Sequence, residues 1–154
     1  MNKQVTMSHI GLPVKNAEAS AKFYEKYVQM KVLKKRTNPT NIWMGDEVRP
    51  FLLALLEETE FNPLAPVTHL GFTCSSCTQV DRVAAMAKEE GILMEGPAQE
   101  GWPGSYVAVL SDPDGHNVEI SYNQEGAYNA IFEPVCDLEQ FNNTMEDGQE
   151  CWET

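Results

Sequence analysis

Two stretches of nearly the same wording, Ser8-His9-Ile10-Gly11-Leu12 and Thr68-His69-Leu70-Gly71-Phe72, stand sixty residues apart in this chain. A repeat of that length constrains the fold more than any single motif, because each copy must be one supersecondary unit. Each copy is followed by a helical stretch and then by apolar runs punctuated by turn residues. Each half therefore reads strand, helix, strand, strand, strand, over about residues 5–58 and 67–123, with Pro63 and Pro66 in the connector. The reading is one α+β domain over residues 1–124, made of two such modules, followed by an acidic extension over 125–154. Two copies folded on one another would be related by a pseudo-twofold axis, with the two His residues facing across it.

Alternation sorts the faces. In the first strand, over 5–14, His9 and Gly11 share one face, and Ile10, Leu12 and Val14 the other. Asn16 is an N-cap for a helix whose stripe is Ala19, Phe23 and Tyr27, widened by Tyr24 and Val28. Strands over 30–36, 41–45 and 51–57 complete this half, the last presenting Leu52, Ala54 and Leu56 on one side and Phe51, Leu53 and Leu55 on the other. The second half has strands over 67–74, 92–96, 106–110 and 116–122, and a helix over about 78–90. Thr78 and Asp81 stand at capping-box spacing and Gly91 at its stop. Asp112-Pro113-Asp114-Gly115 is a turn signal. Past Gln124 the pattern dissolves, with spacing for a short helix over 132–141.

The net charge of −12 is mostly a property of the tail, since residues 125–154 hold eight of the 23 acids and no Lys or Arg. No basic stripe argues for nucleic acid, and Lys34-Lys35-Arg36 reads as a solvated strand end. No apolar run approaches the ~20 residues of a membrane span, and Met1-Asn2-Lys3-Gln4 carries no signal-peptide pattern. A cytoplasmic protein without nucleic-acid or membrane partners is expected. In that setting Cys74, Cys77, Cys136 and Cys151 argue against a disulfide framework, and Cys74-Ser75-Ser76-Cys77 reads as a strand-to-helix turn.

His9, His69 and Glu119 fall on strand faces that the helices do not cover. A lone His in a strand is ordinarily structural. Two at matched places, with a carboxylate on the closing strand, make the donor set of a facial metal triad with open coordination positions.

The paired His-Ile/Leu-Gly strands, the Phe23-Tyr24 helix leading into Gln29-Met30-Lys31-Val32-Leu33, and Asp112-Pro113-Asp114-Gly115 followed by Glu119 resemble the vicinal oxygen chelate superfamily. That group includes glyoxalase I, extradiol dioxygenases, fosfomycin-resistance thiol transferases and bleomycin-resistance proteins. The resemblance implies paired βαβββ modules forming a U-shaped, eight-stranded mixed-sheet cleft, often completed as a homodimer. It implies a divalent metal on His9, His69 and Glu119, with Fe(II) favoured and Mn, Zn or Ni as alternatives. Glyoxalase I adds a carboxylate on the fourth strand, and that place falls here at Ala54; Glu58 could substitute only if the strand slipped. The three-ligand set points to an extradiol-type dioxygenase acting on a vicinally oxygenated small molecule. A glyoxalase-like lyase or isomerase, a thiol transferase and a non-catalytic bleomycin-type binder stay open. Tyr106 or Ser121 could donate to a bound anionic oxygen. Trp43, Arg49, Trp102 and Tyr106 are pocket candidates, and His116 reads as a turn cap.

Overall fold

A computed structural model describes residues 7–46, 51–60, 62–99 and 105–124. Arg49, Trp102 and the expected helix over 132–141 lie outside the described residues. The chain divides into two units, the first built up to Val67 together with Asp112–His116, the second from Thr68–Ser111 and from Asn117 onward. Among the described residues no helix is long and apolar enough to cross a membrane.

The first unit contains β1 (His9–Val14), α1 (Ala17–Val28), β2 (Lys31–Arg36), β3 (Asn41–Gly45) and β4 (Leu52–Glu57). Its sheet runs in the order β1-β4-β3-β2, with β1 parallel to β4 and the other neighbours antiparallel. One face is apolar at every second residue, as a sheet covered on one side requires: Leu12, Val14, Ile42, Met44, Leu53 and Leu55 are buried. α1 packs on β2, β3 and β4 of this sheet. Asn16 caps α1 as expected, its side chain accepting from the backbone N–H groups of Glu18 and Ala19 at 3.1 and 2.9 Å. The buried stripe is rotated from the expected one: Ala17, Ser20, Ala21, Phe23, Tyr24 and Tyr27 are buried, and Ala19 is exposed. The rotation follows from Ser20 and Tyr24, whose hydroxyls find buried carboxylates in the 112–114 turn and so need no solvent.

The second unit repeats the plan with β5 (His69–Thr73), α2 (Cys77–Glu89), β6 (Leu93–Gln99), β7 (Tyr106–Ser111) and β8 (Asn117–Tyr122), ordered β5-β8-β7-β6. Val80, Val83, Ala84 and Ala87 of α2 are buried, as are Leu70, Ala108, Leu110, Val118 and Ile120 of the sheet. The helix starts one residue before the expected point, because Ser76 and not Thr78 caps it. Ser76 Oγ accepts from Gln79 N at 3.2 Å, and Gln79 Oε1 accepts from Ser75 N at 3.0 Å, a capping pair two residues upstream of the Thr78/Asp81 spacing. Gly91 does stop the helix, at φ 71°, with Ile92 N bonded to Ala87 O. Cys77 is disulfide-bonded, against the expectation of free thiols, while Cys74 is free and burial pushes its thiol up to about 11.

The turn over 112–116 belongs to the first unit through a buried polar network. Asp112 accepts from Tyr24 Oη at 3.1 Å and from the backbone N–H groups of Asp114 and His116 at 2.9 and 2.8 Å. Asp114 accepts from Ser20 Oγ and from Lys15 N, both at 2.9 Å. His116 is fully buried, with Nε2 2.9 Å from Pro13 O and Nδ1 accepting from Leu64 N at 3.2 Å. Both ring nitrogens are engaged by backbone of β1 and of the connector, so the His116 ring ties the turn to those segments and does not cap the turn as expected.

Candidate metal centre

Register places each candidate on its face. In a ladder of either sense directly paired residues share a face, and along a strand every second residue does. In the second unit Gly71 pairs with Glu119, and Glu119 with Val109. His69 lies two residues before Gly71 and so stands on the same, uncovered face. His69 Nε2 is 3.6 Å from Glu119 Oε2, with the side chains 48% and 17% exposed. Two donors each about 2.1 Å from a shared ion are roughly 3–3.4 Å apart, so this pair needs only a few tenths of an ångström of adjustment. Glu119 Oε1 accepts from Gln124 Nε2 at 2.6 Å. That contact was not expected from the sequence. It arises because Asn123 takes φ 63°, turning the chain back after β8 so that Gln124 reaches the carboxylate.

In the first unit His9 occupies the corresponding place, two residues before Gly11, and Gly11 pairs with Ala54. His9 is exposed, and its Nδ1 is 2.9 Å from Ser8 Oγ. In the tautomer that donates from Nδ1 to this hydroxyl, the Nε2 lone pair is left for a metal, the usual way a ligating His is oriented. Ala54 is thus the counterpart of Glu119 by register. The β1–β4 ladder runs unshifted from His9↔Leu52 to Val14↔Glu57, so no slip brings Glu58 to the site. Glu57 Oε2 accepts from Ala17 N at 3.1 Å and is occupied at the start of α1. Among the described residues no three or more His, Cys, Asp or Glu side chains form one group, and His69–Glu119 is the part of the expected set that one unit holds by itself. The nitrogen and carboxylate donors fit a divalent transition metal in type.

The other candidates divide. Trp43 pairs with Ala54 and stands half-buried on the His9 face. Tyr106 pairs with Tyr122 at a position of opposite parity to Glu119, and its hydroxyl donates to Asp81 Oδ1 of α2 at 2.7 Å. It therefore lies on the helix-covered face and is not brought to the His69–Glu119 pair; desolvation, followed by the Asp81 carboxylate, raises it to about 12. Ser121 has the parity of Glu119 but is fully buried, and its hydroxyl donates to Phe72 O at 3.4 Å. Its hydroxyl is thus turned to the backbone and away from solvent.

A duplicated βαβββ framework, with His and Glu on the uncovered strand faces, defines the class of protein this is. The chain belongs to the Glyoxalase/Bleomycin resistance protein/Dioxygenase superfamily, whose family model matches residues 6–120. It is 34% identical over 126 residues to the uncharacterized protein PA2024 of Pseudomonas aeruginosa, covering 77% of this chain and 89% of that one. Among solved structures it is similar to a possible glyoxalase from Bacillus cereus (26% identity, TM-score 0.64, 76% of this chain and 98% of that chain). An antibiotic binding protein from Streptomyces sp. CB03234, TnmS3, shares the fold at 21% identity and TM-score 0.61, over 79% and 98% of the two chains. The lactoylglutathione lyase of Agrobacterium tumefaciens shares it at 18% identity and TM-score 0.56, over 80% and 96%. The family is generally metal-dependent, and it spans enzymes and non-catalytic binders.

Proposed function

We propose that this chain is a metal-dependent enzyme that uses His9, His69 and Glu119 to hold one divalent ion, Fe(II) by preference, and opens a vicinally oxygenated ring as an extradiol-type dioxygenase. The observation that carries the reading is the register that sets Ala54 where Glu119 stands in the other half. A methyl group can neither ligate nor move a proton, so a four-ligand lyase site lacks a part. His9, His69 and Glu119 would hold the ion and leave part of it accessible to substrate; when bound, it would supply Lewis acidity and the means of activating O₂. Gln124 holds one oxygen of Glu119 and so orients the other toward His69. Ser8 holds the ring of His9.

The test is O₂ uptake by protein loaded with Fe(II) under argon and then given a panel of catechols in air-saturated buffer. Stoichiometric O₂ consumption with a ring-opened product supports the reading. A protein that retains iron but consumes no O₂ with any catechol sinks it, and assays of thiol addition and of hemithioacetal isomerisation would then follow.

A further inference from the structure

The duplicated framework sets matched positions of the two units side by side. Across the uncovered face of the first unit one row of directly paired residues reads Gly11, Ala54, Trp43, Lys34. The matching row of the second unit reads Gly71, Glu119, Val109, Glu95. The half without the ligand carboxylate thus ends on an indole and a cation, where the other half ends on a valine and an acid. The next row of the first unit adds Arg36, paired with Asn41.

The basic run 34–36 is split by the pleat. Lys35 pairs with Ile42 on the helix-covered side and is bonded to Glu18. Lys34 and Arg36 point to the Trp43 side, are exposed, and have no ion-pair partner among the described residues. Two cations without an ion-pair partner among the described residues stand beside a half-buried indole in a chain of net charge −12, and that placement selects for an anion. A bulge after Val32 puts Leu33 against Gly45 on the same face, extending its apolar part.

We propose that the uncovered face of the first unit is a subsite for an aryl anion, with the ring against Trp43 and a carboxylate or like group at Lys34 and Arg36. The inference deepens the dioxygenase reading and rests on it for the far end of the ligand. His9 lies on β1, two strands from Trp43 and three from Lys34. At about 4.8 Å per strand the span from the His9 strand is roughly 10 Å to the ring and 14 Å to the cations. The substrate class is therefore an elongated molecule with vicinal oxygens at one end and an anionic group at the other.

The test is binding of 2-naphthoate and its uncharged analogue 2-naphthamide to the full chain, by calorimetry at low ionic strength. Naphthoate should bind about tenfold more tightly, the worth of one charge-assisted contact. Lys34→Gln with Arg36→Gln should erase that preference. Lys35→Gln, on the other face, should leave it intact. Trp43→Leu should weaken both probes alike. His69→Ala should not change naphthoate binding, so loss of the metal reading and loss of this one are told apart. Equal affinity for the two probes overturns the proposal, as does equal loss in Lys35→Gln, which would report net charge alone. A Lys34/Arg36 variant that changes the oligomeric mass but not naphthoate affinity overturns it too, and makes the face an interface between copies.

Discussion

Replacing Asp112 by Ala should cost this protein a large share of its stability. The side chain is 4% exposed and serves three donors: the Tyr24 hydroxyl, itself fully buried, and the backbone N–H groups of Asp114 and His116. A buried donor left without an acceptor costs about 1–3 kcal/mol. Three of them amount to roughly 3–9 kcal/mol, against the ~5–15 kcal/mol that holds a typical domain together. Asp112→Asn keeps Oδ1 for both backbone donors and disturbs only the Tyr24 contact, so its cost should be nearer 1 kcal/mol. Burial raises Asp112 above its ordinary 3.8, and His116, Asp114 and Tyr24, which bond or neighbour it, lower it less. Between the unfolded and folded values the native state therefore binds more protons than the unfolded one. The stability due to protonation is present below pH 3.8 and lost as pH rises through the folded value. Urea unfolding of wild type and both variants from pH 4 to 7 measures this, with the wild-type advantage over Asp112→Asn shrinking toward neutrality. A loss under about 1 kcal/mol in Asp112→Ala, at unchanged m-value, would refute the reasoning.

Three further outcomes follow from the placement of other residues. Asn16→Ala, which strands two N–H groups at the start of α1, should cost about 1 kcal/mol in the same unfolding assay. Tyr106→Phe should leave kcat/KM of the iron-loaded enzyme unchanged, because the hydroxyl is bonded to Asp81 on the helix side; a marked drop would return Tyr106 to the site. Ala54→Glu should keep one metal per chain and yet lower O₂ uptake roughly tenfold or more, as the added carboxylate fills an open position; unchanged uptake would show that the position is not used.

The repeat made most of the fold legible, because the alternation in His9–Val14 fixes which face is buried and the same order of elements recurs in the second half. The fourth-strand place at which the resemblance implies a carboxylate falls at Ala54, and the unshifted ladder makes Ala54 the counterpart of Glu119. What escaped was set by contacts distant in sequence. Ser20 is buried beyond the reach of any hydropathy pattern because Asp114, 94 residues away, accepts its hydroxyl. Tyr106 was drawn to the site by its residue type, when the parity of β7 against Glu119 already assigned it to the other face. Ser121 shows the converse: right parity, but fully buried with its hydroxyl on Phe72 O. Gln124 could be found only through the left-handed turn at Asn123.

The most direct test of the account is metal stoichiometry, by elemental analysis of protein purified without air and without affinity metals. About one iron per chain in the wild type, lost in each of His9→Ala, His69→Ala and Glu119→Ala while the folded far-UV spectrum is kept, is the predicted result. A wild type that takes up no metal after reconstitution, or a Glu119→Ala variant that holds it as tightly as before, would contradict the central claim.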